Sequence, residues 1–237
     1  MGIGNPPAGM SGAMDAIRVG VLSDTHVGDV LPRLPDEVLG LLADADLILH
    51  AGDLTEPAAL EPLRAIAPVV AVQGNHDRKA GVELPRVVVV RVGGVRIGLV
   101  HGHRVRALEA PAAALSLATG RVRLLGLLSR LRRRVGDVDV VVFGHLHLTV
   151  VREIDGVLFF SPGAVYQPEV DPVMDWNGPV GRAARRVRDA VPEGDLLPSV
   201  GMLEISAAGV HPRVLRLHDA IRPPVPLSPA SRVSTRG

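Results

Sequence analysis

The chain has 237 residues, a length that suits a single α/β domain. Hydrophobic residues make up 47% but aromatics only 2%, so the core must be built mainly from Val, Leu, Ile and Ala. A net charge of +1 offers no global field for nucleic acid or an anionic membrane, the lack of cysteine excludes disulfides and thiolate metal ligation, and no apolar run is long enough to span a bilayer.

Residues 1–16 are rich in Gly, Pro and Ala and read as a loose lead-in, without the basic start and apolar stretch of a signal peptide; a cytoplasmic location is expected. A buried strand over 17–24 follows, then helical spacing over 34–43, a strand and turn over 45–53, and a helix over 56–67 with Pro57 in its first turn. A third strand and turn occupy 68–77. This βαβαβ order predicts a parallel sheet with crossover helices. Strands over 86–92 and 95–102 flank Gly93-Gly94, a hairpin turn. Residues 105–135 are helical in composition, and 138–147 is another strand and turn. Asp155-Gly156 joins strands at 149–154 and 157–163. Residues 166–199 read as irregular. A last hairpin spans 201–206 and 210–217, and the Pro/Ser/Arg-rich tail 219–237 is expected to be flexible. One domain over 17–218 is expected, with two sheets packed face to face and helices outside.

Five strand-like runs end in turns rich in Asp, His and Asn: VGVLSDTH, LILHAGD, VVAVQGNHD, IGLVHGH and VVVFGHLH. Ligands bind beyond the carboxyl ends of strands in open α/β sheets, so these turns would bring their side chains to one rim. Any one of them is ordinary turn chemistry. Five in the order D-x-H, G-D, G-N-H-D, H-G-H and G-H-x-H are hard to explain that way.

These motifs resemble the calcineurin-like metallophosphoesterase superfamily, and within it the small bacterial and archaeal phosphodiesterases, over roughly residues 17–165. The resemblance implies an α/β fold, a four-layer α/β/β/α sandwich of two mixed sheets with flanking helices. It also implies two divalent metal ions per chain, with Mn²⁺ favoured over Fe or Zn²⁺. Asp24 and His26 would bind the first ion with His147, and Asn75, His101 and His145 the second, with Asp53 bridging both. Such a pair, about 3.5–4 Å apart, activates a bridging hydroxide and neutralises phosphate charge. His76 would be the general acid, oriented by Asp77.

The expected activity is metal-dependent hydrolysis of phosphate esters, small phosphodiesters above all. Its rival is a non-catalytic protein-interaction scaffold of the same fold, as in a retromer subunit. A nucleotide-cofactor enzyme is disfavoured, because no Gly-rich phosphate loop follows the first strand. The arginine run 130–134 has no aromatics for base stacking, which makes nucleic acid an unlikely partner. His50 reads as a buried, hydrogen-bonded residue rather than a ligand, and His103 as a pocket-lining or packing residue. Arg78 and Lys79 follow the GNHD turn and could meet phosphate. Ser161-Pro162-Gly163-Ala164 stands where the family often has Asn-Pro-Gly-Ser. Segments 104–137 and 166–199 look long for the smallest family members, and could form a substrate cap or a homo-oligomer contact.

Overall fold

The computed structural model describes residues 16–103, 106–166 and 177–218. The expected flexible termini fall outside these residues apart from Ala16.

Among the described residues, ten strands form two five-stranded sheets. The first contains β1 (Ile17–Leu22), β2 (Leu47–His50), β3 (Val69–Ala71), β9 (Ser199–Ser206) and β10 (Gly209–Arg216), in the order β10-β9-β1-β2-β3. The second contains β4 (Val87–Val92), β5 (Val95–Val100), β6 (Val140–Val142), β7 (Thr149–Ile154) and β8 (Val157–Pro162), in the order β4-β5-β6-β8-β7. Strands β1, β2 and β3 are parallel, as are β5, β6 and β8, while the hairpin strands at the edges run antiparallel. Both sheets are therefore mixed.

Three apolar clusters separate four layers, because the central strands are covered on both faces. Between the sheets, Val19, Val21 and Leu49 meet Ile97, Leu99, Val142 and Phe160. Outside the first sheet, Leu22 and Ile48 pack with Val38 of helix α1 (Asp36–Leu41) and Leu63 of helix α2 (Glu61–Arg64). The next helix in the chain is α3 (Asn75–Lys79), at the end of β3. Outside the second sheet, Val100, Val141, Phe143 and Phe159 pack with Leu127, Leu131 and Val135. The alternation along β1 and β6 divides each strand between an inter-sheet core and a helix-facing core, as period-two side chains must. This is the expected α/β/β/α sandwich.

Two stretches differ from the sequence reading. The helical segment 105–135 is broken into α4 (Arg106–Thr119) and α5 (Leu127–Val135), with Gly120, Leu125 and Gly126 at φ of 62°, 40° and 68° between them. Residues 166–199 are not simply irregular, since they contain α6 (Pro179–Asp189), α7 (Glu193–Leu196) and the first residue of β9. In α6, Pro179 occupies the first turn, where its missing N–H costs nothing. Ala183, Ala184 and Val187 then recur at three- to four-residue spacing, a stripe that the surrounding arginines obscure. Helix α4 packs against α6.

Candidate metal centre

The strand order brings all five turns to one rim. Asp24 and His26 follow β1, Asp53 follows β2, Asn75 opens α3 after β3, His101 follows β5, and His145 and His147 follow β6. Backbone hydrogen bonds stitch these turns together: Asp24 N–H donates to Gly52 O (2.9 Å), His26 N–H to Asp53 O (3.0 Å) and Gly144 N–H to His101 O (3.0 Å). Asp24, His26, Asp53, His145 and His147 all have left-handed backbone, with φ of 53°, 45°, 57°, 74° and 52°. Non-glycine residues held there cost about 1–3 kcal/mol each, and such strain gathers at functional sites.

The side chains form overlapping clusters. Donor atoms of Asp24, His26 and His147 lie within 4.8 Å of one another, as do those of Asp24, Asp53 and His101. His147 Nε2 is 3.3 Å from Asp24 Oδ1. His101 Nδ1 donates to Ala51 O (2.8 Å), so its Nε2 points at Asp53 Oδ2 (3.1 Å) and Asn75 Oδ1 (3.1 Å). Facing two oxygens, that nitrogen must carry a proton or bind a cation. Burial opposes charge on His101, but Asp53 and Asp24 outweigh it and push the imidazole up to about 9. Burial also pushes the Asp24 carboxyl up, yet His147, His101 and His26 hold it well below the usual carboxylate range.

His26 is the clearest indication that the cluster is built for a cation. Both of its ring nitrogens are buried without a hydrogen-bond partner among the described residues. Burial lowers its pKa, which favours the neutral, ligating form. Two glycines keep the centre open to carboxylates. A Cβ at Gly74 would stand 2.1 Å from Asp53 Oδ1, and one at Gly144 would stand 2.6 Å from Asp24 Oδ2.

Supporting groups lie behind the cluster. Ser23 Oγ donates to Asp24 Oδ2 (2.5 Å). His50 is buried as expected: its Nδ1 accepts from Gly52 N–H (3.2 Å), which leaves Nε2–H for Thr25 Oγ1 (3.1 Å). His103 packs beside His101 and His145, with ring centroids 5.5 and 6.4 Å away, and its Nδ1 is buried without a partner among the described residues.

Asp77 does not orient His76. Its carboxylate is fully buried and accepts the backbone N–H groups of Asp53 (2.8 Å), Thr55 (2.7 Å) and Gly74 (2.7 Å). The carboxylate beside His76 belongs to Asp29, whose Oδ2 lies 3.1 Å from His76 Nδ1. The sequence reading missed Asp29; its only signal is an acidic residue three positions after His26 in the same turn. The His76 side chain is 36% exposed and lines a cavity of about 790 Å³ with Asp29, Glu56, Lys79, His147 and Tyr166. The Tyr166 ring is buried 5.7 Å from His26 and 5.5 Å from His147.

Residues 17–174 match the calcineurin-like phosphoesterase superfamily domain. The chain belongs to that superfamily. A relative named as a probable metallophosphoesterase, from Methanothermobacter thermautotrophicus, is 37% identical over 152 residues, covering 64% of this chain and 79% of its own. Another so named, from Methanocaldococcus jannaschii, is 33% identical, covering 63% and 69%. The vacuolar protein sorting-associated protein 29 of Schizosaccharomyces pombe is 29% identical, covering 65% and 76%. In fold, the chain is similar to the Vacuolar Protein Sorting 29 structure from Cryptosporidium parvum, with a TM-score of 0.60, 24% identity and coverage of 87% and 94%.

Proposed function

We propose that this protein hydrolyses phosphate esters, small phosphodiesters above all, with two divalent cations in the strand-end cluster. The observation that carries this reading is the pair of overlapping Asp/His clusters beside His76 at an open cavity. Asp24, His26 and His147 would hold one ion, and Asn75, His101 and His145 the other, with Asp53 shared. Mixed nitrogen and oxygen donors suit Mn²⁺, Fe or Zn²⁺. Bound there, the ions would supply an activated water near neutral pH and neutralise charge on the phosphate.

The chain's own residues do the rest. Asp29 accepts from His76 Nδ1, which fixes the ring and leaves Nε2 for the leaving-group oxygen, where it donates a proton. His76 N–H donates to Asp53 Oδ1 (2.7 Å), tying the acid to the shared carboxylate. Lys79, on the same cavity wall, adds positive charge for an anionic substrate.

A scaffold role is the second reading, favoured by the 29% identity to vacuolar protein sorting-associated protein 29. A panel of phosphodiesters and phosphomonoesters, assayed with Mn²⁺, Fe²⁺ and Zn²⁺ in parallel, separates the two. Hydrolysis that is lost in His76→Ala while metal stays bound supports the enzyme. Metal-loaded protein inert to the whole panel rejects it.

A further inference from the structure

His147 lines two cavities, one carrying several charged side chains and the other mostly apolar. On one side is the cavity containing His76, Asp29, Glu56 and Lys79. On the other, His145 and His147 border a groove of about 300 Å³ whose wall is mostly apolar, with Val122, Leu146, Leu148, Val187, Val191 and Leu196, and has Arg188 as its charged member. All six apolar residues are half-buried, as residues lining an open channel should be. Val122, Leu146, Leu148 and Val191 also line a wider cavity of about 950 Å³, edged by Arg121, Arg123, Arg152 and Asp195, so the groove continues outward. Both volumes fall within or close to the range of ordinary ligand pockets, roughly 300–1,000 Å³.

The geometry points to an asymmetric phosphodiester substrate, with a polar leaving group on the His76 side and a retained apolar alkyl chain in the groove beyond His147. This rests on the phosphoesterase reading for the position of the phosphate. The leaving group must face the acid, His76. The retained ester group then extends the other way, where Leu and Val dominate the wall and Arg188 is its charged member. The wall is built by Leu146 and Leu148, beside His147 in the turn after β6, together with Val122 and the α6 to α7 stretch.

The test is a series of p-nitrophenyl alkyl phosphodiesters, from methyl to octyl, hydrolysed by the Mn²⁺-loaded full chain. Binding of methyl and octyl phosphate is measured in parallel by calorimetry. We expect kcat/KM to rise about two- to fourfold per methylene until the groove is filled. Val187→Asp should cut the octyl-to-methyl ratio at least tenfold, and Val187→Leu should restore it. Hydrolysis without chain-length dependence would overturn the groove assignment and leave the phosphoesterase reading standing. No hydrolysis, but tighter binding of octyl phosphate that Val187→Asp weakens, would sustain the groove and reject the activity. Equal binding of the two phosphates in every variant would overturn the inference.

Discussion

The carboxylate of Asp77 accepts the backbone N–H of Asp53 at 2.8 Å, so one buried acid holds the turn that presents another. Asp77 also takes the N–H groups of Thr55 and Gly74. Asp53 and Thr55 are both left-handed, at φ of 57° and 63°, and the two bonds help to hold that strain in place. Asp77→Ala would leave the buried N–H groups of Asp53 and Gly74, and the half-buried one of Thr55, without this partner. It should lower stability by at least about 3 kcal/mol, on roughly 1–3 kcal/mol per unmet group. Metal affinity should fall about 10–100-fold, as when a ligand's support is removed. Chemical denaturation and metal titration check the two effects separately.

Asp29, not Asp77, is predicted to govern the acid. Asp29→Asn should lower kcat about tenfold or more while metal content and the unfolding midpoint stay near wild type. Steady-state kinetics beside metal analysis decides this. A variant with unchanged kcat would remove Asp29 from the reaction.

This exchange of roles marks the limit of what the sequence made legible. The metal-site candidates were readable because each sits on a turn directly after a Val- or Leu-rich run, where strand direction alone sets its destination. Neighbours in sequence are not neighbours in space, however. Asp77 follows His76, yet in the tight turn of α3 its side chain points back to Gly74 and Asp53. Asp29 meets His76 from 47 residues away, which no local pattern announces. The sandwich followed from the alternating elements and hairpin turns. Helix α6 did not, because its apolar stripe is narrow and interrupted by arginines.

Gly144→Ala tests the crowding of the centre. The added Cβ would meet Asp24 Oδ2 and Ser23 Oγ at 2.6 Å, and neither buried side chain has room to retreat. The variant should lose metal affinity at least tenfold and about 1–3 kcal/mol of stability, the usual cost of overpacking. Calorimetric metal titration and a denaturation curve measure the two losses.

His50 predicts an acid-sensitive fold. Burial pushes its imidazole down to about 4, below the ordinary value of 6.5. Below pH 6.5 the unfolded chain takes up a proton that the folded one refuses, so stability falls as pH drops from 6.5 toward 4. Between pH 7 and pH 5 this amounts to about 2 kcal/mol. His50→Gln should flatten that part of the profile, as read from denaturation of metal-free protein across the range.

The central claim is that the strand-end cluster is a two-ion site joined at Asp53. Counting Mn²⁺ per chain by elemental analysis, after loading and desalting, tests it most directly. Wild type should retain two ions and Asp53→Ala at most one, with hydrolysis lost in the variant. Wild type retaining none, or Asp53→Ala retaining both, would contradict it.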